Sequence, residues 1–93
     1  MYQIKKTRLF EKSFRKIRNS GVKRTVLKDL SFIVDLLASG KNLPIQYKNH
    51  KLGGELSDCQ ECHVKGDLLL IYKVEKENLI LILVDIGSHS QLF

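Results

Sequence analysis

The hydrophobic pattern of this 93-residue chain changes from helical spacing to short strand-like runs in its second half, and that change constrains the fold more than any other feature. Phe10, Phe14 and Ile17 recur at helical spacing, and a broader apolar stripe with the same spacing runs from Val26 to Leu37. Beyond residue 55 the apolar residues fall in short runs that are typical of strands. Since a chain of this length supports one hydrophobic core, the sequence predicts a single domain over residues 1–93.

A strand precedes the helices as well, because Tyr2 and Ile4 alternate with polar residues at the N-terminus. Gly40 is predicted to cap the second helix, and the segment 41–54, which holds the only proline, is predicted to be a loop. Three further strands are predicted at about residues 56–63, 67–74 and 79–86. The order β-α-α-β-β-β indicates an α+β class, with two helices packed on a small antiparallel sheet.

Charge is distributed unevenly along the chain. Residues 1–51 carry 13 of the 16 Lys and Arg and only three acidic residues, a net charge of +10, whereas residues 52–93 carry a net −4. A basic half favours a polyanionic partner, since each phosphate contact releases condensed counterions. A solvated helical face would have the same composition, so charge alone leaves both interpretations open.

The chain carries no pattern of membrane insertion or export. No apolar run approaches the roughly 20 residues that cross a bilayer, and no apolar signal-peptide core follows Met1. We expect a cytoplasmic protein without a membrane partner.

The predicted sheet brings distant polar residues together. If residues 64–66 close the first hairpin, His63 lies opposite Asp67, and Asp67 in turn faces Ile86 or Gly87 on the last strand. His89 then lies just beyond, at the same end of the sheet, while His50 belongs to the long loop and its place stays open. Histidines near a carboxylate suit general acid–base chemistry at neutral pH.

A Cys-x-x-Cys-His motif spans residues 59–63 and admits other interpretations. Covalent haem needs export and, as a rule, a distal ligand such as Met, whereas the only Met is Met1. A zinc site or a disulfide needs Cys59 and Cys62 on one side, yet residues three apart in a strand face opposite sides. Reduced structural cysteines are therefore the favoured interpretation.

Three segments carry a resemblance to a known family. Residues 61–72 read E-C-H-V-K-G-D-L-L-L-I-Y, residues 87–93 read G-S-H-S-Q-L-F, and residues 49–54 read N-H-K-L-G-G. All three resemble motifs of the YafQ-type toxins of the RelE/ParE superfamily, and chain length and element order agree with that family's RelE-like fold. The resemblance covers the whole chain.

The resemblance implies a toxin of a type II toxin–antitoxin system, a ribosome-associated endoribonuclease that cuts mRNA without a metal or cofactor and forms a hetero-oligomer with an acidic, DNA-binding antitoxin. The family's catalytic positions fall on His50, His63, Asp67 and His89, with His89 as the leading acid–base residue. Phe93 corresponds to a residue that could stack on a nucleobase.

One position departs from the family pattern. Asp85 occupies a site where an arginine is common, and a carboxylate there would repel developing phosphate charge. Lys48, Lys51 or Lys65 is expected to supply the positive charge instead. Two alternatives stay open: a toxin with a non-RNase target such as DNA gyrase, and a catalytically weakened antitoxin-binding module.

Overall fold

Two helices cover one face of a five-stranded sheet in the computed structural model, which describes all of residues 1–93. The helices and strands are β1 (Gln3–Lys6), α1 (Arg8–Asn19), α2 (Arg24–Ala38), β2 (His50–Lys51), β3 (Gln60–Lys65), β4 (Leu68–Glu75), β5 (Ile80–Ser88) and α3 (His89–Leu92). Single 3-10 turns at Ile45–Tyr47 and Gly54–Leu56 interrupt the long loop. None of the helices combines the length and the apolar character that crossing a bilayer requires.

The sheet is mixed, with the strand order β1-β5-β4-β3-β2. The α+β class and the β-α-α-β-β-β order are confirmed, but the prediction of a purely antiparallel sheet is wrong. β1 pairs with β5 in parallel. Between these two strands the chain runs through both helices and through β2, β3 and β4, and β5 then returns in the direction of β1. The two-residue strand β2 adds an edge beside β3 that lies within the predicted loop.

The predicted register of the first hairpin is also wrong. His63 pairs with Leu69 rather than Asp67, because the turn lies at residues 66–67 instead of 64–66; the register also shifts by one residue between residues 63 and 65. The hairpin turn consists of Gly66 and Asp67 alone, and the positive φ of Gly66 (55°) suits such a two-residue turn. Leu69 then pairs with Gly87, so Asp67 does not face β5.

Local hydrogen bonds fix the ends of the helices. The Thr7 side chain accepts a hydrogen bond from the amide of Phe10 (2.9 Å) and donates one to the carbonyl of Val84 (2.6 Å), which ties the start of α1 to β5. At the end of α2, Gly40 has φ +75°, as predicted, and the amides of Gly40 and Lys41 bond back to the last turn in a Schellman arrangement.

The hydrophobic core lies between the helices and the sheet face that they cover. Phe10 contributes from α1, and Ile33 and Leu37 contribute from α2. The strands supply Cys62, Val64, Leu70, Tyr72, Leu81, Leu83 and Ile86. Since side chains alternate along a strand, Glu61 and His63 point away from this core, to the opposite face of the sheet.

Candidate functional site

His50 lies on the edge strand β2, opposite Glu61 of β3. Its side chain is half exposed, and both ring nitrogens face oxygen atoms: Nδ1 lies 2.9 Å from the carbonyl of Lys48, and Nε2 lies 3.4 Å from Oε1 of Glu61. A neutral imidazole can donate to only one of these oxygens. A second proton, on the ring or on the carboxyl, is needed to complete both contacts.

Glu61 is a buried carboxylate. Only 6% of its side chain is exposed, and Oε2 has no hydrogen-bond partner in the chain. Burying such a group is costly unless it is paired, and the one oppositely charged partner that it can have here is a protonated His50. The sequence-based site did not include Glu61. The available signal was an acidic residue two positions before His63 within a strand of otherwise buried side chains.

His63 follows Glu61 on the same face of β3. Its ring centroid lies 6.5 Å from that of His50, at an angle of 46°. The side chain is half-buried. Strand pairing therefore brings His50, Glu61 and His63 together, and we call these three residues the edge cluster.

His89 begins α3, which follows directly from β5. Ser88 caps this helix through its hydroxyl, and the Gln91 side chain accepts a hydrogen bond from the Ser88 amide at 2.8 Å, which completes a capping box. The rings of His89 and Phe93 lie 5.3 Å apart, and Phe93 is 55% exposed. We call His89 and Phe93 the C-terminal pair.

Sheet register relates the edge cluster to the C-terminal pair. His63 pairs with Leu69, and Leu69 pairs with Gly87, so His63 and Gly87 are two strands apart, or roughly 10 Å. His89 follows Gly87 by two residues at the same end of the sheet. The three imidazoles thus come from three separate segments and lie toward one end of the fold.

The other predicted site residues lie around this end. Asp67 is exposed in the β3–β4 turn, and Lys48 and Lys51 are exposed on either side of His50. Lys65 lies closer to α2, since its ammonium is 3.9 Å from the Asp29 carboxylate.

Asp85 belongs to the same row of paired residues as His50 and Glu61, separated from Glu61 by Ile71 of β4. Its Oδ1 accepts a hydrogen bond from the amide of Ile86 at 2.8 Å. The residue also lines a cleft between α1 and α3, together with Lys16 of α1. The carboxylate at this position thus has a basic neighbour.

Both cysteines are buried and free. Burial, reinforced by the nearby Glu61 charge, raises the pKa of the Cys62 thiol to about 12, so this thiol stays protonated at neutral pH. Burial also raises the pKa of Cys59. No group of three or more His, Cys, Asp or Glu side chains lies close enough to hold a metal ion. Cys62 belongs to the hydrophobic core between the helices and the sheet.

A known protein family matches nearly the whole chain. A family profile described as a bacterial toxin of type II toxin–antitoxin systems, YafQ, matches residues 2–93. A putative YafQ toxin from Haemophilus influenzae is 48% identical over 31 residues, which span 33% of this chain and 30% of that protein.

Solved structures agree over the full length. A metal-bound toxin from Helicobacter pylori is 41% identical, with a TM-score of 0.89 and coverage of 100% of both chains. A chain of the Escherichia coli DinJ–YafQ complex is 26% identical, with a TM-score of 0.86 and coverage of 100% of this chain and 99% of that one.

Proposed function

Because the chain belongs to the YafQ family of bacterial toxins from type II toxin–antitoxin systems, we propose that it is an endoribonuclease that cleaves messenger RNA on the ribosome. The substrate would supply its own nucleophile, the 2′-hydroxyl, which attacks the adjacent phosphorus. A base removes the hydroxyl proton and an acid protonates the departing 5′-oxygen, which leaves a 2′,3′-cyclic phosphate and a 5′-hydroxyl. The reaction requires no cofactor.

The single observation that supports this proposal is the pair of imidazole rings of His50 and His63, 6.5 Å apart, at the end of the sheet where His89 is also exposed. His89 is the proposed leading acid–base residue, because it is exposed and can reach a substrate. His50 and His63 would hold the scissile phosphate or protonate it.

Around the histidines, the proposal gives each neighbouring residue a task. Glu61 would orient His50. Asp67, in the neighbouring turn, would add a negative charge near the imidazoles. Phe93 would stack on a base next to the cleaved bond, and Lys48, Lys51 and Lys65 would offset the phosphate charge.

Purified protein added to translating ribosomes tests the proposal. We expect new 5′-hydroxyl ends within the message, mapped by primer extension. His89→Ala should remove them with the melting temperature unchanged, because the side chain is exposed; Glu77→Ala, in the turn at the other end of the β4–β5 hairpin, is the control. Cleavage by folded His89→Ala at the parental rate would overturn the role of His89. Inhibition of gyrase supercoiling without RNA cleavage would overturn the function itself.

The proposed chemistry is independent of a metal, although a solved Helicobacter pylori relative is metal-bound. A chelator that removes transition metals but spares Mg²⁺, which ribosomes need, separates these possibilities. We expect the cleavage rate to be unchanged. Loss of cleavage that is restored by one added metal would show that the reaction depends on a metal and would contradict the proposed chemistry.

We also infer a cognate antitoxin partner, since an Escherichia coli relative was solved as a complex with DinJ. The exposed cations of α1 offer a surface on which an acidic, partly disordered segment could fold. Co-purification from the native operon should recover a short acidic protein. Recovery of the chain alone would contradict a stable complex.

Asp85 favours a second candidate function, an antitoxin-binding module with weakened cleavage. Asp85→Arg distinguishes the two. A large gain of cleavage in the variant would support the weakened module, and an unchanged rate would support the competent nuclease.

A further inference from the structure

A second cavity lies on the other side of the edge strand from the edge cluster. It has a volume of about 520 Å³ and is bounded by the loop after α2 and by β3 and β4. Asn49, immediately before His50, contributes to its lining, as does Gln60, immediately before Glu61. We call it the Tyr72 cavity, after the tyrosine that also lines it. Of the residues given a task in the proposed cleavage, only Lys48 lines this cavity.

The side-chain oxygens of Asn49 and Gln60, which line this cavity, already accept hydrogen bonds from within the chain. The Tyr72 hydroxyl donates to Oδ1 of Asn49 at 2.5 Å and lies 3.3 Å from Oε1 of Gln60. Nδ2 of Asn49 donates to the same Gln60 oxygen at 2.8 Å. Burial raises the pKa of Tyr72 to about 12, so its hydroxyl keeps its proton as a donor at neutral pH. Nε2 of Gln60 takes part in none of these bonds and is left as a free donor.

The charges around the cavity have one sign. Three lysines line it, Lys41, Lys48 and Lys76, and no acidic residue does. A pocket that offers cations and a free amide donor but no carboxylate favours a ligand rich in acceptors and negative charge. Its walls include the ring of Tyr2 and the apolar side chains of Leu43 and Val74, which can cover the face of a planar ring.

We infer that the Tyr72 cavity binds one nucleotide unit, with the phosphate at the lysines and an acceptor of the base at Gln60. Resting on the proposed function, this makes the cavity a subsite for the RNA strand that passes over β2. Asn49 and His50 are consecutive, so an RNA backbone whose scissile phosphate lies at His50 has a neighbouring nucleotide within reach of the cavity. An acidic peptide could use the lysines, but it has no planar ring with acceptors for Gln60 and the aromatic wall.

The test uses the isotope-labelled protein with the four nucleoside 5′-monophosphates and, separately, inorganic phosphate. We expect the nucleotides to shift the NMR signals of the Gln60 side-chain amide and of Asn49 and Gly40. Lys41→Glu/Lys76→Glu should weaken nucleotide binding about tenfold through loss of two phosphate contacts. Lys12→Glu/Lys28→Glu, with the same charge change on exposed helix positions, is the matched control and should bind as the parent does.

Several outcomes would overturn the inference. Equal shifts with inorganic phosphate and with nucleotides would show an anion site without base recognition. Binding of an acidic peptide but of no nucleotide would assign the cavity to a protein partner. Equal weakening in both charge-reversed variants would show a general charge effect.

A cleavage experiment distinguishes the two possible occupants of the cavity, an RNA strand and a free mononucleotide. If a strand occupies the cavity, Lys41→Glu/Lys76→Glu changes which message positions are cut, whereas a site for free mononucleotides leaves the positions unchanged. The underlying function fails separately: parental protein that binds nucleotides but cuts no RNA contradicts the nuclease, and protein that cuts RNA without nucleotide shifts contradicts only the cavity.

Discussion

The edge cluster and the C-terminal pair both carry histidines, but the fold holds them in different ways. His50 and His63 lie on paired strands, and a buried carboxylate contacts His50. His89 belongs to a four-residue helix that packs on β5 and is fixed mainly by the Ser88 cap. The comparison indicates that the edge cluster is positioned by the sheet itself, whereas the C-terminal pair depends on a few local contacts.

The largest effect is expected in the edge cluster, at the buried carboxylate of Glu61. Glu61→Met keeps the volume but removes the carboxylate that contacts His50, so we expect the cleavage rate to fall roughly a hundredfold. The free energy of unfolding should rise by about 1 kcal/mol, because a buried charge with an unsatisfied oxygen is gone. Single-turnover cleavage and urea unfolding measure both changes.

Glu77→Met, at an exposed turn position, is the control for this substitution. A Glu61→Met protein that is both less stable and fully active would mean that the carboxylate supports the fold and not the site.

A smaller effect is expected at the C-terminal pair. A Cβ at Gly87 would lie 3.0 Å from Oε1 of Gln91, the atom that accepts the Ser88 amide in the capping box. Gly87→Ala should therefore displace α3 and lower the cleavage rate about tenfold, with little change in the melting temperature. Gly53→Ala is the matched control, since nothing lies within 4 Å of its added Cβ. Parental activity in Gly87→Ala would mean that α3 tolerates movement.

The smallest effect concerns the stability of the edge. Tyr72→Phe removes the hydroxyl that donates to the side-chain oxygen Oδ1 of Asn49, so the free energy of unfolding should fall by about 1 kcal/mol at neutral pH. Tyr47→Phe, at a half-buried tyrosine beside Phe32, serves as the control.

The same variant sharpens the comparison at alkaline pH. Folding raises the pKa of Tyr72 from 10.0, and that of Cys62 from 9.0, to about 12 in each case. The folded state holds both protons more tightly, so this stability is complete below pH 9 and is lost as the pH rises toward 12. Tyr72→Phe should remove the part of the loss that begins near pH 10. An unchanged alkaline slope in urea titrations would contradict the raised Tyr72 pKa.

Local patterns in the sequence predicted the elements well. The spacing of Phe10, Phe14 and Ile17 determines the buried side of α1, and Gly40 ends α2 because its positive φ is easily reached only by glycine. These features depend on neighbouring residues, which a sequence displays directly.

The pairing of strands that are distant in the sequence was harder to predict. Alternation in residues 2–7 predicts a strand but carries no information about its direction, so the parallel pairing with β5 was missed. The first hairpin turns at residues 66–67 rather than 64–66, which moves the partner of His63 from Asp67 to Leu69, and hydrophobic alternation does not mark the exact position of such a turn. Glu61 was overlooked for a related reason: its contact with His50 depends on β2, a two-residue strand without a pattern of its own.

The parallel pairing of β1 with β5 has a consequence for how the chain acquires its structure. Residues 3–6 gain their sheet partner only when residues 80–83, which lie 77 positions further along the chain, are in place. Loop closure over such a sequence separation is entropically costly and places folding toward the slow end of the range for small domains.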